Sequence, residues 1–228
     1  MSTQPAPSRP APDRRSSTAP KRTSVLPKPT SVILDASVLV AQHAQLTGTY
    51  PITIGSNAVL HPHSKLSSAV APVVVGQGCV IHEKAKIGIG MSADLEVDSR
   101  RSSMASPRSS TSIRDSMRSE GVVLGRNVVV ESNAIVEAAE VGEGSVIEVG
   151  AVLCKGCMVG RFCTITASSI IPPGTILADF TVVYNGSEQR VDKTLKMRPE
   201  ILDQKTAVHE KQLEMFRKLI ANNLAKWA

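Results

Sequence analysis

The stretch 141–165, VGEGSVIEVGAVLCKGCMVGRFCTI, repeats itself every six residues. Aliphatic side chains return at Val141, Ile147, Leu153, Val159 and Ile165, and four places after each stands a compact one: Ser145, Ala151, Cys157, Cys163 and Ser169. A strand has a period of two and a helix of 3.6, so a period of six belongs to neither alone. It fits a solenoid in which each hexad is a short strand plus a corner. The aliphatic residue is expected to fill the core, with the compact residue facing inward where room is short. Three hexads then close one triangular coil, and coils stack as parallel strands about 4.8 Å apart.

Outward from this stretch the pattern reaches back to Leu34 and on to Leu177. It runs through Val40, Leu46, Ile54, Leu60, Leu66, Val75, Ile81 and Ile87, then resumes at Leu124, Val130 and Val136. The departures from six are small: eight from Leu46 to Ile54, nine from Leu66 to Val75, five from Val136 to Val141. Glycine often follows the aliphatic residue, as at Gly55, Gly76, Gly125, Gly142 and Gly160, where a corner would use its conformational freedom. Leu60, Ile81, Leu124, Val141, Ile147, Leu153, Val159 and Ile165 are the expected core. Burial of each such side chain contributes about 2 kcal/mol, and a charge placed there would be buried unpaired.

The composition agrees with a narrow core. Of 228 residues only six are aromatic: Tyr50, Phe162, Phe180, Tyr184, Phe216 and Trp227. The formal charge of +6 is concentrated in residues 1–30, which hold six basic residues against one Asp. The basic balance therefore describes a terminal arm and argues against a nucleic-acid groove. No apolar run approaches the roughly 20 residues needed to span a bilayer. Cys154 and Cys157 form a CxxC, but Cys79, Cys157 and Cys163 all occupy compact positions of the repeat, which favours packing over metal or redox chemistry. Unpaired thiols and the lack of a leader suggest a cytoplasmic chain.

Three segments lie outside the repeat. Residues 1–30, rich in Pro, Ser and Arg, are expected to form a disordered basic arm. Residues 88–121 interrupt the β-helix region (31–184) with a Ser/Arg-rich insertion, also expected to be disordered. Ser102, Ser103 and Ser106 are its candidate phosphorylation sites. Residues 185–228 are expected to form a linker and an amphipathic helix, because His209, Leu213, Phe216, Ile220, Leu224 and Trp227 recur every three or four residues. That helix is expected to lie along one flat face.

Hexapeptide β-helices include acyltransferases and zinc carbonic anhydrases, so the histidines decide whether chemistry is expected. They are His43, His61, His63, His82 and His209. His61 and His82 each follow an aliphatic position directly and belong to successive coils, which makes them the candidate metal ligands, with His43 and His63 on the same side. A catalytic zinc site needs three protein ligands, and IHEKAKIGIG (81–90) offers only His82 where the anhydrases carry a His pair.

The segments ITIGSNAVLHPHSKL (52–66), PVVVGQGCVIHEKAKI (72–87), VVLGRNVVVESNAIVEAAEVGEGSVIEVGAVLCKGCMVG (122–160) and IIPPGTILADFTVVYNGSEQR (170–190), followed by one helix, resemble the dynactin subunit 6 family of hexapeptide-repeat proteins. The resemblance covers about residues 31–228. It implies a left-handed parallel β-helix with a C-terminal α-helix, without catalytic residues, cofactor or metal. It further implies a structural subunit of dynactin, cytoplasmic and cytoskeleton-associated, that takes part in dynein-based transport. Its expected partners in that hetero-oligomer are a second β-helix subunit and the pointed-end actin-related protein, with no nucleic acid and no membrane insertion. The alternative from the fold is a hexapeptide-repeat enzyme, either a carbonic anhydrase of the γ type or an acyltransferase.

Overall fold

A computed structural model describes residues 31–91 and 121–227. The expected arm (1–30), most of the insertion and its three candidate phosphorylation sites, Ser102, Ser103 and Ser106, lie outside the described residues. The chain winds as a left-handed parallel β-helix of about six turns.

Each coil contributes one strand to each of three sheets. The first sheet stacks β1 (Val32–Leu34), β4 (Ile52–Ile54), β7 (Val73–Val75), β10 (Val122–Leu124), β13 (Glu140–Val141), β16 (Met158–Val159) and β19 (Ile176–Leu177). The second stacks β2 (Leu39–Val40), β5 (Val59–Leu60), β8 (Val80–Ile81), β11 (Val129–Val130), β14 (Val146–Ile147), β17 (Thr164–Ile165) and β20 (Thr181–Tyr184). The third stacks β3 (Gln45–Gly48), β6 (Lys65–Ser68), β9 (Lys86–Ile87), β12 (Ile135–Val136), β15 (Val152–Leu153) and β18 (Ile170–Ile171). Within each sheet the repeat residues stand in register, as Val40 over Leu60 over Ile81 over Val130 over Ile147 over Ile165.

The register explains the irregular spacings. All three fall between the third sheet and the first, at 49–51, 69–72 and 137–139, and so does the long insertion between β9 and β10. One corner of the prism absorbs every change of length, and the other two keep the period. A loop of added length costs little further entropy, provided that it leaves and re-enters at the same corner.

The core is as narrow as the composition implies. Leu60, Ile81, Ile147, Leu153, Ile165 and Val141 are fully buried; Leu124 and Val159 are 1 % and 3 % exposed. The compact column of Cys79, Ser145, Ala151, Cys157, Cys163 and Ser169 is buried beside them. Its polar members have partners: Ser145 Oγ donates to the Gly160 carbonyl (2.8 Å) and accepts from the Cys163 amide (3.0 Å). Burial raises the Cys79 and Cys157 thiols to about 12 and pushes up Cys154 and Cys163 as well. Burial thus favours the protonated thiols.

Both ends of the second sheet are covered. At one end β21 (Glu188–Val191) pairs antiparallel with β20, so the segment expected as a plain linker contains a strand that ends the sheet. Asp192 then caps a short helix, α1 (Lys193–Met197). The long helix, α2 (Pro199–Leu219), lies on the second sheet. Leu213, Phe216 and Ile220 pack on the outward-facing Leu39, Val59, Val80 and Val129. The helix stops at Leu219 and does not run on to Trp227. Instead, the Asn222 side chain accepts from the Val40 amide and donates to the Val38 carbonyl, and the Asn223 amide donates to the Val40 carbonyl. Leu224 and Trp227 pack against the core cluster. The tail thus covers the free edge of the first coil, where unpaired backbone groups would invite another strand.

Candidate functional site

The site is built on a rule of the corners. The third residue after each second-sheet aliphatic position, from Val40 to Ile165, adopts left-handed backbone angles. At the corner between the second and third sheets these residues are His43 (φ 63), His63 (φ 61), Lys84 (φ 58) and Asn133 (φ 60), continuing to Gly150 and Ser168. Among residues other than glycine, Asn and His tolerate this region best, so the column is set first by backbone geometry. Stacking of coils then brings its side chains together. The His43 and His63 rings lie parallel, 5.1 Å apart.

Two residues past this column, at the start of the third sheet, Gln45, Lys65, Lys86 and Ile135 form the adjoining ladder. The two columns line an open trench of about 570 Å³ formed by Gln45, His63, Lys65, Lys84, Lys86, Asn133 and Ile135. Lys65 stands directly opposite Lys86 across neighbouring strands. Like charges so placed concentrate positive potential on this face. His63 is exposed at the rim.

His61 and His82, the candidate metal ligands, lie on the other side of the same corner. Their rings stack at 4.6 Å, and Phe216 of α2 meets them edge-on at 4.7 and 6.0 Å. His61 Nε2 is buried with no hydrogen-bond partner. Desolvation, reinforced by the neighbouring His82, lowers His61 to about 4 against the opposing pull of Glu83. Burial also lowers His82, opposed by Glu131 and Glu83. Both are neutral at pH 7. Among the described residues no three His, Cys, Asp or Glu side chains gather as a metal site. The four histidines expected together form two separate pairs, one packed under the helix and one at the trench. His209 stands apart on α2, its Nε2 2.7 Å from the Gly78 carbonyl.

The sequence reading missed the trench. Its signal was the left-handed position three places after each second-sheet aliphatic residue, together with the residue two places further on. Lys65, Lys84 and Lys86 converge only when the two positions are aligned coil by coil.

Fold and corner columns together define a left-handed hexapeptide β-helix with one basic, histidine-edged face. No family model matches the chain, and no curated protein matches it. Among solved structures it is similar to a hexapeptide transferase family protein from Anaplasma phagocytophilum, at 16 % identity and a TM-score of 0.61, over 85 % of this chain and 97 % of that one. It is also similar to a protein from Bacillus cereus assigned as an acetyltransferase, at 13 % identity and a TM-score of 0.53, over 81 % and 91 % respectively. At such identities the likeness is one of fold. These bacterial transferases overturn the reading as a non-catalytic dynactin subunit. The expected second β-helix subunit, the actin-related partner and the role in dynein-based transport fall with it.

Proposed function

We propose that the chain is an acyltransferase of the hexapeptide type, moving an acyl group from a phosphorylated thioester to an amine or hydroxyl acceptor. The observation that carries this reading is the trench, in which an exposed imidazole edges a surface bearing three lysines. Lys65, Lys84 and Lys86 suit the phosphates of a coenzyme A thioester. An imidazole nitrogen of His63 takes the acceptor's proton while that atom attacks the thioester carbonyl. A new C–N or C–O bond forms, the C–S bond breaks, and the proton leaves with the thiol. His43, stacked on His63, and the left-handed backbone hold the ring's orientation. The names of the similar structures, a transferase family protein and an assigned acetyltransferase, support the same class of reaction.

The test is thiol release from acetyl-coenzyme A in the presence of amino-sugar and hydroxyl acceptors. Wild type is expected to release thiol above the blank, and His63→Ala to lower kcat about 100-fold, the lower range for loss of a general base. Thiol release by His63→Ala equal to wild type would refute the assignment of His63. No release by wild type would refute the reaction.

A further inference from the structure

We propose that the cleft between α2 and the second sheet, on a different face from the trench, binds a small carboxylate with an apolar body. The cleft encloses about 270 Å³. Its floor is made by Val129 and Val146, the outward-facing residues of β11 and β14. The Phe162 ring, stacked on Phe180 at 5.6 Å, closes one side, and Thr206, His209 and Gln212 of α2 form the roof. Such a shape, mostly apolar with a few convergent polar groups, is that of a small-molecule site.

Charge decides the ligand class. Lys205 projects from α2 into the cleft, and among the described residues its Nζ meets one hydrogen-bond acceptor, the Gly144 carbonyl at 3.4 Å. An ammonium has three protons to donate, so this one has capacity left. Two of the acids nearby have other partners, though the charge of Asp192 also acts on Lys205. Asp192 Oδ1 accepts from the Thr194 and Leu195 amides as the cap of α1. Glu143 is paired with Arg126 at 3.0 Å. Glu131 lines the far end of the cleft, after β11. A carboxylate is therefore drawn to the Lys205 end and repelled from the Glu131 end, which orients it with its apolar body along Val129 and Val146.

Calorimetric titration of the full chain with sodium hexanoate tests this, with hexylamine as the charge-reversed probe. Wild type is expected to bind hexanoate saturably and hexylamine at least tenfold more weakly. Lys205→Met, which keeps the stem and removes the charge, is expected to weaken hexanoate at least tenfold. Lys205→Arg is expected to retain binding. Val146→Phe, which fills the floor and leaves Lys205 in place, is expected to abolish it. No binding by wild type, equal binding by Lys205→Met or Val146→Phe, or a preference for hexylamine would each overturn the proposal. Acyl transfer in the trench does not depend on this cleft, so thiol release by Lys205→Met stays at the wild-type level whichever way the titration falls.

Discussion

His61 and His63 are separated by one residue, yet they meet different solvents. His61 ends a run of the second sheet and packs under Phe216, whereas His63 takes the left-handed corner and reaches the trench. The buried pair has a consequence for pH. His61, lowered to about 4, and His82, lowered in the same direction, are depressed histidines: the unfolded chain takes up protons that the folded chain refuses. Stability is therefore full above about pH 6.5 and falls as the pH drops toward 4. Discounted for partial solvent screening, the loss at His61 is about 1–2 kcal/mol. Urea titrations between pH 4 and 7.5 check this: the slope should flatten in His61→Leu, and an unchanged slope would remove His61 as its source. Gly144 is a second test at this scale. Its φ of +66 strains any residue other than glycine, and the Phe162 ring, 2.5 Å from where a β-carbon would lie, would have to shift. Gly144→Ala is expected to destabilise by about 1–2 kcal/mol in denaturant unfolding.

At the scale of the element, α2 is held by an apolar strip and by polar contacts that include His209 on the Gly78 carbonyl, Lys205 on the Gly144 carbonyl and Arg217 on Asn57 Oδ1. Phe216→Ala removes the ring that covers the histidine pair and should cost about 2 kcal/mol, less than a fully buried phenylalanine. Hydrogen exchange should show the loss first in the α2 amides, while the coil amides keep their protection. The helix was legible because an apolar period of three to four separates it from the hexads. Its end was not legible. Leu224 and Trp227 continue that spacing by coincidence, but they pack against the first coil, some 180 positions away in sequence, where Asn222 meets Val38 and Val40. A one-dimensional period cannot reveal that a tail turns back to cap an edge strand.

At the scale of the molecule, the hexads displayed the architecture openly, since each repeat position has the same environment as the one above it. Ile147→Lys should accordingly cost at least about 3–5 kcal/mol, because Ile147 is fully buried among aliphatic side chains. Loss of the β-sheet circular dichroism signal at 25 °C is the expected readout. The corner that absorbs the insertions was hidden until the strands were set in register, and so was the trench. Lys65, Lys84, Lys86 and His63 occupy two different positions of the repeat, and only stacking makes them one surface. Resemblance of whole segments led instead to a dynactin subunit, because the hexad core that dominates such a comparison is common to catalytic and structural members of the fold.

The proposal that the basic trench takes a phosphorylated thioester is tested most directly by titrating the purified chain with coenzyme A at several salt concentrations. Saturable binding is expected to weaken as salt rises, and to drop at least tenfold when Lys65 and Lys84 are both changed to alanine. No binding at low salt, or binding indifferent to those two lysines, would contradict the assignment.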